Sequence, residues 1–189
     1  EAVVLDASRL NEDLAFVKSF DDHTLTAASN DATVASLHGS TLLIDSPFGR
    51  ALSVDGATGY FAEPRTGEMN VGKSDFTVAA WIRPTELRQS GIVCLGRYNY
   101  VHGWYFDMPN NQGVLRIETM NAAGERNGTV QTRPGIIRPN KWQHVAAVVR
   151  RDDNSTRLYV NGFEVVRGTI NAANLDNPES HELGTIAEI

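Results

Sequence analysis

Cysteine is nearly absent from this chain of 189 residues: Cys94 stands alone, which excludes any disulfide within the chain. Long apolar runs are missing too, and none approaches the ~20 residues that a membrane-spanning helix requires. There is no basic excess. Seventeen Lys and Arg against 23 Asp and Glu leave a net charge of −6, whereas a protein that grips a nucleic-acid backbone needs a basic face. No internal repeat, low-complexity tract or linker-like Pro/Ser/Gly stretch divides the sequence. A chain of this size buries about 70% of its unfolded surface, so one self-supporting domain with at most an added arm is expected. The sequence opens at Glu1 rather than methionine, as in a processed protein or a piece of a longer one.

What is present is β texture. Helical spacing occurs once, at Leu10, Leu14 and Val17 behind Ser8, and decays into Phe20-Asp21-Asp22. Beyond it, short apolar or alternating segments are punctuated by Gly, Asn, Asp and Pro. The expected strands cover 16–20, 41–44, 51–54, 59–62, 76–82, 91–95, 104–108, 114–119, 144–150, 156–160 and 163–167. Turn signals every ~8–12 residues mark an all-β sandwich or barrel. The strongest local signal is Asn161-Gly162, which supplies the positive φ angles of a two-residue hairpin between two alternating strands. With the Arg151-Asp152-Asp153-Asn154-Ser155 turn it predicts three consecutive antiparallel strands. The run Phe76-Thr77-Val78-Ala79-Ala80-Trp81-Ile82 is apolar on both alternations and predicts a central strand covered on both sides, stopped by Pro84.

Four segments in order resemble a known family. They are residues 49–56 with Tyr60-Phe61, then Asp75-Phe76-Thr77-Val78-Ala79-Ala80-Trp81-Ile82-Arg83-Pro84, Trp142-Gln143-His144-Val145-Ala146-Ala147-Val148-Val149, and Arg157-Leu158-Tyr159-Val160-Asn161-Gly162-Phe163. Together they are similar to the laminin-G-like/pentraxin-like jelly roll of the concanavalin A-like lectin/glucanase superfamily. The resemblance implies an all-β, two-sheet antiparallel jelly-roll sandwich with little helix over residues 16–189, preceded by an arm over 1–15 that forms an extra strand or short helix. The family closes with a strand after a Leu-Gly step, here Leu183-Gly184. The resemblance leaves two alternatives: the closing strand lies outside this sequence, or Ala2-Val3-Val4-Leu5 replaces it.

Enzymes of this superfamily that cleave glucans carry carboxylates at alternate positions of one strand, so that both face the sugar. No two Asp or Glu residues here are separated by a single residue. A nucleophile elbow, a zinc-protease helix, a phosphate loop and a dinucleotide fingerprint are all missing, and no catalytic residue is assigned. The five histidines are scattered, with His144 expected as a structural side chain and Cys94 as a small buried hydrophobe. Asn127-Gly128-Thr129 and Asn154-Ser155-Thr156 match the glycan-acceptor pattern, at a frequency that chance explains in an Asn-rich chain.

Two clusters remain as sites. Alternation sends Trp104, Phe106 and Met108 to the core and Tyr105 and Asp107 to the other face; the next strand presents Arg116 and Glu118 there. Tyr105, Asp107, Arg116 and Glu118, with Tyr98 and Tyr100 at the rim, would give a sugar an aromatic plane and fixed hydrogen-bonding groups. The alternative is an ion-pair network on a solvated sheet face. The resemblance also implies a calcium ion, for which Asp22 and Asp55 are the expected ligands, with Asp21, Asp107 and Asn110 as further oxygen donors; turn-building explains the same residues. The expectation is a non-catalytic recognition module that binds carbohydrate or a partner surface, with no nucleic acid and no membrane span. It would belong to a larger multidomain exported protein, in an extracellular, periplasmic or cell-surface setting. A purely architectural domain supporting its neighbours is the runner-up, and an enzyme with a non-glucanase site the third.

Overall fold

The computed structural model describes residues 20–21, 36–63, 71–97, 101–121, 125–171, 174–175 and 184–186. The arm over 1–15 with its helical spacing, Asp22, Tyr98 and Tyr100 lie outside these residues, and so does most of the strand expected over 16–20. Thirteen strands are described: β1 (Ser36–His38), β2 (Thr41–Ser46), β3 (Gly49–Val54), β4 (Tyr60–Glu63), β5 (Phe76–Ile82), β6 (Ser90–Arg97), β7 (Val101–Met108), β8 (Arg116–Met120), β9 (Arg126–Gln131), β10 (Gln143–Val149), β11 (Ser155–Val160), β12 (Phe163–Thr169) and β13 (Gly184–Ile186). No helix occurs among the described residues. The strands form a seven-stranded sheet in the order β1-β4-β13-β6-β7-β8-β9, a four-stranded sheet in the order β12-β11-β10-β5, and a separate β2-β3 hairpin. Every pairing is antiparallel, as a jelly-roll sandwich requires.

The core lies between the two larger sheets. From the four-stranded sheet Val78, Ala147 and Leu158 meet in one row, and Val145 and Val160 in another. From the seven-stranded sheet Trp104, Phe106, Ile117 and Val130 enter the same cluster. Phe76 of the edge strand β5 stacks on Trp104 of the inner strand β7 at a centroid distance of 5.5 Å, tying the sheets together. Apolar side chains are thus removed from water on the inward alternation of both layers, which is the main force holding them face to face.

The three-strand reading of the C-terminal half holds: β10 pairs with β11, and β11 turns at Asn161 and Gly162, both at positive φ (51° and 80°), into β12. A strand starts at Gly184 within this sequence, against the alternative that placed it outside, while Ala2-Val3-Val4-Leu5 lies outside the described residues. β13 inserts between β4 and β6, antiparallel to both. Two expectations change. β5 is not central: among the described strands it pairs only with β10, and Thr77, Ala79 and Trp81 on its second alternation are exposed. β9, which the sequence reading left out, is the outer strand of the large sheet.

Candidate functional site

The predicted cluster on β7 and β8 assembles in the predicted register. Asp107 stands opposite Arg116 and Tyr105 opposite Glu118. Arg116 donates from Nε to Asp107 Oδ1 at 2.9 Å and from Nη2 to Oδ2 at 2.6 Å, while its Nη1 lies 3.4 Å from Glu118. Glu118 Oε1 takes the Thr129 hydroxyl at 2.9 Å and lies 2.5 Å from Arg126 Nε. The correction concerns exposure: Tyr105, Asp107 and Glu118 retain 4%, 1% and 8% of their surface. Cys94, Tyr105 and Met120 form a second apolar cluster, so this face of the sheet is covered instead of solvated. Burial pushes the Asp107 carboxyl above its ordinary value, opposed by the hydrogen bonds and charge of Arg116. Arg116 joins the two carboxylates, Thr129 and Arg126 bind Glu118 from β9, and Tyr105 packs with Cys94 and Met120, so the cluster offers a ligand no open plane.

Three of the calcium candidates, Asp55, Asp21 and Asn110, serve the backbone. Asp55 Oδ1 accepts from the N–H groups of Ala57, Thr58 and Gly59 at 2.9, 2.9 and 2.8 Å, and Oδ2 from the Thr58 hydroxyl at 2.9 Å. Three donors crowd Oδ1 and one reaches Oδ2, so the carboxylate is engaged in holding the Asp55-Gly56 turn. The same bonds hold its carboxyl well below the usual carboxylate range. Asp21 accepts the Arg50 N–H at 2.6 Å and Asn110 the Gln112 N–H at 2.9 Å. Among the described residues, no three His, Cys, Asp or Glu side chains converge as a metal site would need.

The exposed chemistry lies elsewhere, on the outer face of the small sheet. Trp81 projects from β5 and is 47% exposed; Phe48, at the tip of the β2-β3 hairpin, is 50% exposed. Their rings stack at 4.0 Å with an interplanar angle of 25°. Trp142 meets Phe48 edge-on at 6.0 Å, and His144, directly opposite Trp81 in the ladder, meets it edge-on at 5.3 Å. The Arg83 guanidinium sits 5.6 Å from the centre of the Trp142 ring. Ala79 and Ala146 stand side by side in the next row, with Tyr159 on the other side of Ala146.

Local bonds fix these parts. The Phe48 N–H donates to Ser46 Oγ at 3.2 Å. The Asn140 N–H donates to the Pro84 carbonyl at 2.8 Å, bringing the segment before β10 against the end of β5. Gln143 accepts from the Arg138 N–H at 2.7 Å and donates to the Ile136 carbonyl at 3.2 Å, bracing the loop that carries Trp142. The sequence reading missed this site because it took both alternations of β5 as covered. The available signal was that the second alternation of that run, Thr77, Ala79 and Trp81, holds small or hydroxyl-bearing residues and a single large ring.

The fold recurs in the binding domain of botulinum neurotoxin serotype D, at a TM-score of 0.56 and 11% identity, covering 82% of this chain and 42% of that one. It recurs in the binding domain of botulinum neurotoxin DC in complex with SialylT, at a TM-score of 0.57 and 17% identity, covering 81% of this chain and 38% of that one. The chain therefore spans well under two thirds of those structures. The carbohydrate binding module CBM66 from Bacillus subtilis aligns at a TM-score of 0.46 and 14% identity, over 80% of this chain and 85% of that one. No curated protein sequence matches. Residues 55–185, more than half of the chain, match the laminin G-type model of the concanavalin A-like lectin/glucanases superfamily, and to that family the chain belongs.

Proposed function

We propose that this chain is a non-catalytic recognition module that binds carbohydrate, as part of a larger exported protein. The observation that carries the reading is the Phe48–Trp81 stack, two half-exposed rings held in place on an outer sheet face. Isolated exposed apolar residues are ordinary, but a preorganised aromatic platform with polar neighbours is what the apolar face of a sugar ring packs against. The superfamily match and the SialylT complex of a structural neighbour support the same ligand class.

The carboxylates argue against hydrolysis. Asp107 and Glu118 both bind Arg116 and are both buried, so neither reaches a glycosidic oxygen nor acts as a free acid. Incubating the protein with neutral and acidic polysaccharides tests the reading. Retention on at least one of them, with no rise in reducing ends, is the expected result. Release of reducing sugar, or retention of none, overturns it.

A further inference from the structure

We infer that the aromatic site is built for an acidic carbohydrate, one bearing carboxylate or sulfate groups; this rests on the carbohydrate reading above and names its ligand class. The chain as a whole is acidic, with a net charge of −6, but the segments that make the site are not. Residues 46–49, 81–84 and 138–144 supply Phe48, Trp81, Trp142 and His144 together with Arg83, Arg138 and Lys141, and contain no Asp or Glu. Two carboxylates lie beside the Phe48 hairpin, both at its Gly49-Arg50 side: Asp45 stands opposite Arg50 in the β2-β3 ladder, and Asp21 accepts the Arg50 N–H at 2.6 Å. Among the described residues, Arg83, Arg138 and Lys141 form no ion pair, whereas Arg88, Arg116, Arg126, Arg150 and Arg167 each do.

The arrangement joins two kinds of recognition. Trp81 and Phe48 offer ring surface. Arg83, laid over Trp142, holds a planar fork of donors at the edge of the stack, a shape that matches a carboxylate or sulfate with two parallel bonds. The cation–π contact restrains the guanidinium, so less freedom is lost when an anion arrives. A sugar seated on the rings would place its acidic substituent toward Arg83 and Lys141. An anionic bilayer also attracts cations beside aromatic rings, but it favours separate apolar side chains that project into the lipid. Phe48 and Trp81 instead cover one ring face each against the other, leaving a flat surface of limited size.

The test measures binding of the full chain to polygalacturonate and its neutral methyl ester, to dextran sulfate and dextran, and to phosphatidylcholine vesicles with and without phosphatidylserine. Trp81→Ala and the double variant Arg83→Gln/Lys141→Gln run beside the parent, with melting temperatures to confirm folding. The expected result is preference for an acidic glycan over its neutral counterpart, weakened by added salt. Trp81→Ala lowers that affinity about tenfold, and the double variant abolishes the preference. Preference for the neutral member, or acidic binding that Trp81→Ala leaves intact, overturns the inference but not the carbohydrate reading. Binding to anionic vesicles without binding to any of the four polysaccharides overturns both.

Discussion

Asp107 and Arg116 face each other across the β7-β8 ladder and close a two-pronged ion pair inside a covered sheet face. Arg116 also approaches Glu118, which Arg126 pairs from β9, so two guanidinium groups balance two carboxylates that would otherwise repel. In this geometry the charges stabilise the sandwich only together, because each carries a desolvation cost that its partner offsets. Asp107→Ala or Arg116→Ala is expected to destabilise the protein by about 3 kcal/mol. The double variant should lose less than the sum of the two, since they share one interaction. Urea titrations of the three variants check this; additive losses would show the pair to be incidental.

Asp55 makes stability depend on acid. Its carboxylate takes three backbone N–H bonds and one hydroxyl, which hold its pKa well below the ordinary value. In the unfolded chain the group titrates near ~3.9, so below about pH 4 the unfolded state binds the extra proton first. The stabilisation is complete above that pH and declines as the pH falls below it. Asp55→Asn should flatten this acid limb in melting temperatures measured from pH 6 to pH 2.5. An unchanged slope contradicts the account, as does a calcium-dependent rise in melting temperature that Asp55→Asn abolishes.

Gly128 on β9 sits where a Cβ would lie 2.9 Å from the Ile170 Cα, a backbone atom with little room to yield. Beside it, Asn127 Nδ2 donates to the Asn171 carbonyl at 2.9 Å, holding the segment after β12 against the edge strand of the large sheet. Gly128→Ala is therefore expected to lower stability by about 2 kcal/mol through overpacking. Thermal unfolding measures it, and a variant as stable as the parent would mean the two segments separate easily.

These features were unequally legible in the sequence. The β10-β11-β12 meander was readable because Asn161-Gly162 is a local turn signal and the flanking strands alternate cleanly. β9 was not, because Asn127-Gly128 looks like a turn; its glycine answers to Ile170, a neighbour 42 residues away that no local pattern reveals. The register of Tyr105, Asp107, Arg116 and Glu118 followed from alternation, but polar residues on one face imply water only if nothing covers that face. Here they neutralise one another and are buried. Trp81 erred in the opposite direction: an apolar run implies two covered faces, yet β5 leaves its second alternation to solvent and to Phe48 from the β2-β3 hairpin.

The central claim is that the Phe48–Trp81 rings are the recognition surface. Affinity electrophoresis of the parent chain and Trp81→Ala through gels containing polygalacturonate or dextran sulfate tests it most directly. The account predicts that the polysaccharide retards the parent and that the variant, equally well folded, runs close to its mobility in the empty gel. Equal retardation of both proteins would contradict it.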